Sequence, residues 1–144
     1  MKKQWKWAIG IVVFCILAPL VSFATYIGIR GHAMNNGAAI VAQFLGDLRS
    51  HNYTQAHALM VPSEQATISV TALQKAQEQI EKKKGRWLFP AEPNEFHPND
   101  TLDDIWYLYT VRVKPDDDMY VSVRVIQTAD SWRVLEYHYD DDPA

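Results

Sequence analysis

A chain of 144 residues that is 48% apolar and 12% aromatic is long enough for one domain of ordinary size with a packed core, which excludes disorder as its default state. Its 14 basic and 17 acidic residues are unevenly placed: Lys2, Lys3, Lys6 and Arg30 flank one apolar run, and everything after Arg30 sets 10 basic against 17 acidic residues. That balance excludes nucleic acid as a partner of the later part, because affinity for phosphate comes from clustered Lys and Arg releasing counterions.

The first predicted element is the run bounded by Trp7 and Ile29, which carries no charge for 23 residues. At about 1.5 Å of rise per residue it covers the roughly 30 Å hydrocarbon core of a bilayer as a transmembrane helix. Lys2, Lys3 and Lys6 precede it and Arg30 alone follows. The positive-inside bias therefore places the N-terminus in the cytoplasm and residues 31–144 outside, in the periplasm or at the cell exterior, as a single-pass signal-anchor. A basic start, apolar residues 8–18, Pro19 and then Ser22-Phe23-Ala24 also fit a signal peptide cleaved after Ala24. Retention is favoured because apolarity continues through Tyr26-Ile27-Gly28-Ile29, and because Trp5, Trp7 and Tyr26 fall where interfacial aromatic belts lie. Cys15, the single cysteine, sits inside this run, so the later domain has no disulfide, thiol ligand or thiol nucleophile.

Residues 31–37 (GHAMNNG) read as a small polar tether. Beyond it Ile40, Val41, Phe44, Leu45 and Leu48 share one helical face. Ser50-His51-Asn52 breaks that helix, and Asn52 with Gln55 fits a capping box opening a second one with Tyr53, Ala56 and Met60 inward. A third helix begins at Ser69 or Thr71, buries Val70, Leu73, Ala76 and Ile80, and stops at Gly85. Lys82, Lys83 and Lys84 complement its dipole in the last turn.

After Gly85 the period changes from 3.6 to 2. A first strand is expected at residues 86–89, and Pro90, Pro93 and Pro98 confine their stretch of the chain to loop or edge structure. Ile105, Tyr107, Tyr109, Val111 and Val113 alternate in a second strand, and Met119, Val121, Val123 and Val125 in a third. In a fourth, Trp132, Val134, Glu136 and His138 are expected on one face and Arg133, Leu135, Tyr137 and Tyr139 on the other. The expected fold is α+β: an N-terminal transmembrane helix, then about three helices packed on a curved antiparallel sheet of about four strands. The expected organisation is residues 1–30 as basic start and anchor, 31–37 as tether, 38–139 as domain and 140–144 as acidic tail.

The helix FLGDLRSHNYTQAHALM, a Ser-containing turn, the helix SVTALQKAQEQIEKKKG and the closing hairpin VSVRVIQTADSWRVLEYHY, in that order, resemble small extracytoplasmic members of the nuclear transport factor 2-like superfamily. The resemblance covers about residues 38–139. It implies a cone of helices and curved sheet whose mouth is a pocket in some members and plugged in others. Those members include isomerases, dehydratases and binding modules, so the fold alone names no reaction.

Candidate chemistry is sparse. His51 and His57 lack a third ligand at zinc spacing, and Asp116, Asp117 and Asp118 lack the glycine and glutamate of a calcium loop, so no metal and no cofactor is expected. Hydrolase, phosphate-loop and CxxC patterns are missing as well. Tyr53, Tyr107, Tyr109 and His138 are the candidates for lining a ligand pocket, with Asp103 a further acid. Asp116, Asp117 and Asp118 are candidates for partner binding, since the sequence from Asn99 onward carries 11 acidic against 4 basic residues. The favoured expectation is a non-catalytic, membrane-tethered interaction or sensing domain, with a membrane-protein partner or self-association. The alternatives are a cone that binds a small apolar ligand and an isomerase- or dehydratase-type enzyme.

Overall fold

The computed structural model describes residues 2–86, 92–114 and 117–140, with side chains placed at 22–86, 93–112 and 118–140. These residues form α1 (Lys2–Arg49), α2 (Tyr53–Ala58), α3 (Pro62–Thr67), α4 (Val70–Lys84), β1 (Glu92–Pro98), β2 (Asp104–Lys114), β3 (Asp117–Gln127) and β4 (Trp132–Asp140). The strands make one antiparallel sheet in the order β1-β2-β3-β4. The α+β class and the helices-before-strands order are as the hydrophobic periods predict.

The chain divides into two compact units, Met1–Ala33 and Met34–Ala144. In the first, Phe23, Tyr26, Ile27 and Ile29 are 63%, 53%, 53% and 60% exposed. Among the described residues no helix is long and apolar enough to cross a membrane. Residues 7–21, most of the apolar run, precede the first placed side chain.

Residues 31–37 are helical, where their glycines and asparagines predict an irregular tether. A glycine inside a helix costs roughly 1 kcal/mol relative to alanine, but Gly37 has a packing reason to be there. A methyl group at Gly37 would sit 2.5 Å from the Tyr107 hydroxyl oxygen and 3.2 Å from two ring carbons. The same hydroxyl donates to the Met34 carbonyl at 2.6 Å. The helix backbone and a sheet side chain thus meet at a distance that no residue with a Cβ permits.

Val41, Phe44, Leu45 and Leu48 of α1 are buried as one face, as their spacing predicts. Phe44 meets Tyr137 edge-on at 5.2 Å between ring centroids. The inner sheet face carries Ile105, Tyr107, Tyr109 and Val111 from β2, Met119, Val121, Val123 and Val125 from β3, and Trp132 and Val134 from β4, all buried.

β4 departs from simple alternation. Its register with β3 passes from Arg124↔Glu136 to Val125↔Val134, leaving Leu135 as an extra residue. A bulge of this kind inverts the side-chain faces beyond it. Tyr137 and Tyr139 therefore turn inward, and Glu136 and His138, expected beside Trp132 and Val134, turn outward. Toward its start β4 is also covered: Val61 N–H donates to the Val134 carbonyl and Val134 N–H to the Leu59 carbonyl, both at 2.9 Å.

Smaller differences have local causes. The strand expected at residues 86–89 lies, from residue 87, outside the described residues. β1 instead occupies the proline-bounded stretch, at the sheet edge that tolerates Pro93 and Pro98. Its register slips between Pro93 and Glu95, and Asn94 Oδ1 accepts the Thr110 N–H at 2.7 Å. The turn after Met60 contains α3, which opens on Pro62. Asn52 makes no side-chain cap, so the expected capping box is not formed, whereas Ser69 Oγ accepts the Ala72 N–H at 3.1 Å and opens α4.

Candidate functional site

The four tyrosine and histidine candidates do not converge. Tyr107 and Tyr109 are neighbours on the inner face, with ring centroids 6.4 Å apart. Tyr53 lies on α2, stacked on His51 at 5.7 Å. His138 is outside, on the opposite face of the sheet, because of the Leu135 bulge. Asp103 belongs to a separate loop, where Thr101 and Asn99 donate to its carboxylate and hold it below the usual carboxylate range. Asp118 pairs with Arg112 at 3.3 Å, Asp117 contributes described backbone only, and Asp116 lies outside the described residues.

The inner face is packed with aromatic rings. Burial pushes the Tyr107 and Tyr137 hydroxyls up to about 12, and pushes Tyr109 up as well, with a lesser push from Tyr107. Groups held neutral in this way are poor bases near neutral pH. Among the described residues the buried Tyr109 hydroxyl and Asp47 Oδ2 have no hydrogen-bond partner.

A polar chain, not foreseen in the sequence analysis, leads from this core to the surface. Tyr139 donates to Gln77 Oε1 at 2.9 Å, Gln77 Nε2 donates to Glu81 Oε1 at 3.3 Å, and His51 Nε2 lies 3.1 Å from both Glu81 oxygens. Gln77 is only 2% exposed. It stands four residues after the buried Leu73, on the inward stripe of α4, and a polar residue at that position was the available signal. His51 takes a left-handed backbone, φ 62°, which lets α1 end and the chain turn back under α4.

On the outer face Trp106 is the centre of a second cluster. His138 stacks on it at 6.2 Å and the Arg124 guanidinium lies over its ring at 5.5 Å. Arg124 is bidentate to Asp104 at 2.9 and 2.7 Å and reaches Glu136 at 3.0 Å, tying β2, β3 and β4 together. These hydrogen bonds raise the guanidinium pKa further. The pairs are about one-third exposed, so each is worth no more than about 1 kcal/mol.

One pocket of ≈ 270 Å³ opens where α4 ends against β3 and β4, lined by Ile80, Lys83, Lys84, Met119, Tyr139 and Asp140. Of these residues Met119 is 1% exposed. Among the described residues no group of three or more His, Cys, Asp or Glu is placed to hold a metal ion. No protein-family model, curated protein or solved structure matches this chain.

Proposed function

We propose that residues 31–144 are a non-catalytic, extracytoplasmic domain of the nuclear transport factor 2-like kind, anchored by residues 7–29 and serving to hold a membrane-protein partner beside the bilayer. The observation that carries this reading is the filled inner face. Phe44, Tyr107 and Tyr109 are buried there, Tyr137 packs edge-on against Phe44, and burial holds all three tyrosine hydroxyls above the ordinary tyrosine value. Catalysis by an acid and a donor converging on an apolar cavity has no support among these groups.

Chain connectivity favours a partner in the same membrane. Eleven residues lie between Ile29 and the first core residue, Val41. Even fully extended they span at most about 40 Å, and confinement of that order raises the effective concentration toward another membrane protein. The acidic β2–β3 end at Asp116, Asp117 and Asp118 is the proposed contact, suited to a partner surface bearing Lys or Arg.

A photocrosslinker at Asp118 should capture one discrete membrane protein, or a second copy of this chain, in intact membranes, while the same probe at exposed Ser63 on α3 should not. Asn at positions 116–118 should weaken capture more at low salt than at high salt. Equal capture from both positions would overturn the reading. The pocket at the end of α4 favours a second reading, in which the domain senses a small molecule.

A further inference from the structure

The described helices meet the sheet on its inner face, through Tyr107 to Met34, Tyr137 to Phe44 and Tyr139 to Gln77. The outer face therefore has no helix layer among the described residues. An antiparallel sheet can leave one face to water, and that face then carries polar side chains. Here the centre is apolar instead. Trp106 and Leu108 follow each other on the outer face of β2, and Tyr120 stands diagonally beside Leu108 on β3, all three half-buried. From the level of Trp106 to that of Tyr120 this strip runs about 13 Å, at about 3.3 Å per residue. That is the length of roughly two and a half turns of α-helix.

Charge decides between occupants. Arg124 is shared by Asp104 and Glu136, one positive group for two negative ones, so the network around Trp106 carries a net negative charge. Arg112 is paired with Asp118, and Glu95 stands beside Leu108 on β1. In a two-fold dimer a patch near the axis meets its own copy, which would set these carboxylates against one another. A helix with Lys or Arg on both sides of an apolar stripe meets them with the opposite charge. We infer that the outer face docks one such amphipathic helix of a membrane partner. Its apolar stripe lies along Trp106, Leu108 and Tyr120, and its cations face Glu95 on one side and Glu136 on the other. Trp106, held under the Arg124 guanidinium at 5.5 Å, is the anchor, since Trp and Arg at the centre of a contact carry most of its energy. The inference rests on the partner reading above and adds the face and the partner's local structure. Capture at Asp118 together with failure of the test below would leave that reading standing without it.

The full purified chain, labelled with 5-fluorotryptophan and held singly in nanodiscs of zwitterionic lipid, provides the test. Trp106 reports from the outer face, and Trp132, 7% exposed on the inner face, serves as reference. Trp106→Phe and Trp132→Phe assign the two resonances. A short peptide of Leu and Lys, ordered as an amphipathic helix, should move the Trp106 resonance saturably and leave Trp132 in place. The same residues in an order that gives no apolar face, and a Leu and Glu peptide in the amphipathic order, should each bind about tenfold or more weakly. Leu108→Asn should weaken binding of the first peptide by a similar factor. Glu95→Gln with Glu136→Gln should weaken it more at low salt than at high salt. An unchanged Trp132 resonance in each variant shows that the fold is intact. A Trp106 resonance that ignores the first peptide, or answers all three peptides equally, overturns the assignment. Movement of Trp106 on loading two chains per disc, with no peptide present, would give the face to a second copy and overturn it as well.

Discussion

The fold constrains the identity of Gly37, and the constraint is steric. Alanine there would place its methyl group 2.5 Å from the Tyr107 hydroxyl oxygen, so either the ring or α1 must shift. Overpacking of this size costs about 1–3 kcal/mol, outweighing the roughly 1 kcal/mol of helix propensity that alanine gains over glycine. Gly37→Ala should therefore destabilise the chain in chemical denaturation. Adding Tyr107→Phe should recover part of the loss, because it removes the nearest atom and leaves contacts of 3.2 Å. Simple additivity of the two changes would refute the contact, since residues in direct collision couple. The sequence does not reveal this pairing. In GHAMNNG a glycine that relieves a clash looks the same as one that loosens a tether, and its partner lies 70 positions away.

At the scale of elements, alternation was readable wherever a strand stays regular. Ile105, Tyr107, Tyr109 and Val111, and Met119, Val121, Val123 and Val125, are buried as their period of two requires. β4 follows it only as far as Val134. A bulge adds one residue without a composition mark of its own, and His138, expected on the face of Trp132 and Val134, is on the other face of the sheet because of Leu135. The inward swing of Tyr137 and Tyr139 has a titration consequence. Burial pushes the Tyr107 and Tyr137 hydroxyls up to about 12 and holds Tyr109 and Tyr139 raised as well. An unfolded chain releases these protons near pH 10 and the folded chain keeps them. Their contribution to stability is therefore fully present below about pH 10 and is lost as pH rises toward 12. Phenolate absorbance from the buried rings should appear together with loss of the folded circular-dichroism signal. Full ionisation of the tyrosines at retained structure would show that the inner face is open to solvent.

At the scale of the whole molecule, the claim at stake is which side of a bilayer each end occupies. Twenty-three uncharged residues rise about 35 Å as a helix, against roughly 30 Å of hydrocarbon. In the arrangement proposed here, the three lysines before them and the single arginine after them would keep the N-terminus on the cytoplasmic side. The placed part of that run leaves Phe23, Tyr26, Ile27 and Ile29 each more than half exposed, an arrangement that costs free energy in water and little in lipid. Cys15 is the only cysteine, so a Cys15→Ser chain accepts single reporter cysteines. A membrane-impermeant maleimide should label Ala66→Cys, on the exposed surface of α3, in cells whose cytoplasmic membrane is intact. It should label Gln4→Cys only after that membrane is permeabilised. The labelled chain should remain with the membranes through a high-salt wash and leave them in detergent. Release by salt, or a mature chain beginning at Thr25, would mean that the N-terminal run directs export without serving as an anchor, and the proximity argument for a membrane partner would fall with it.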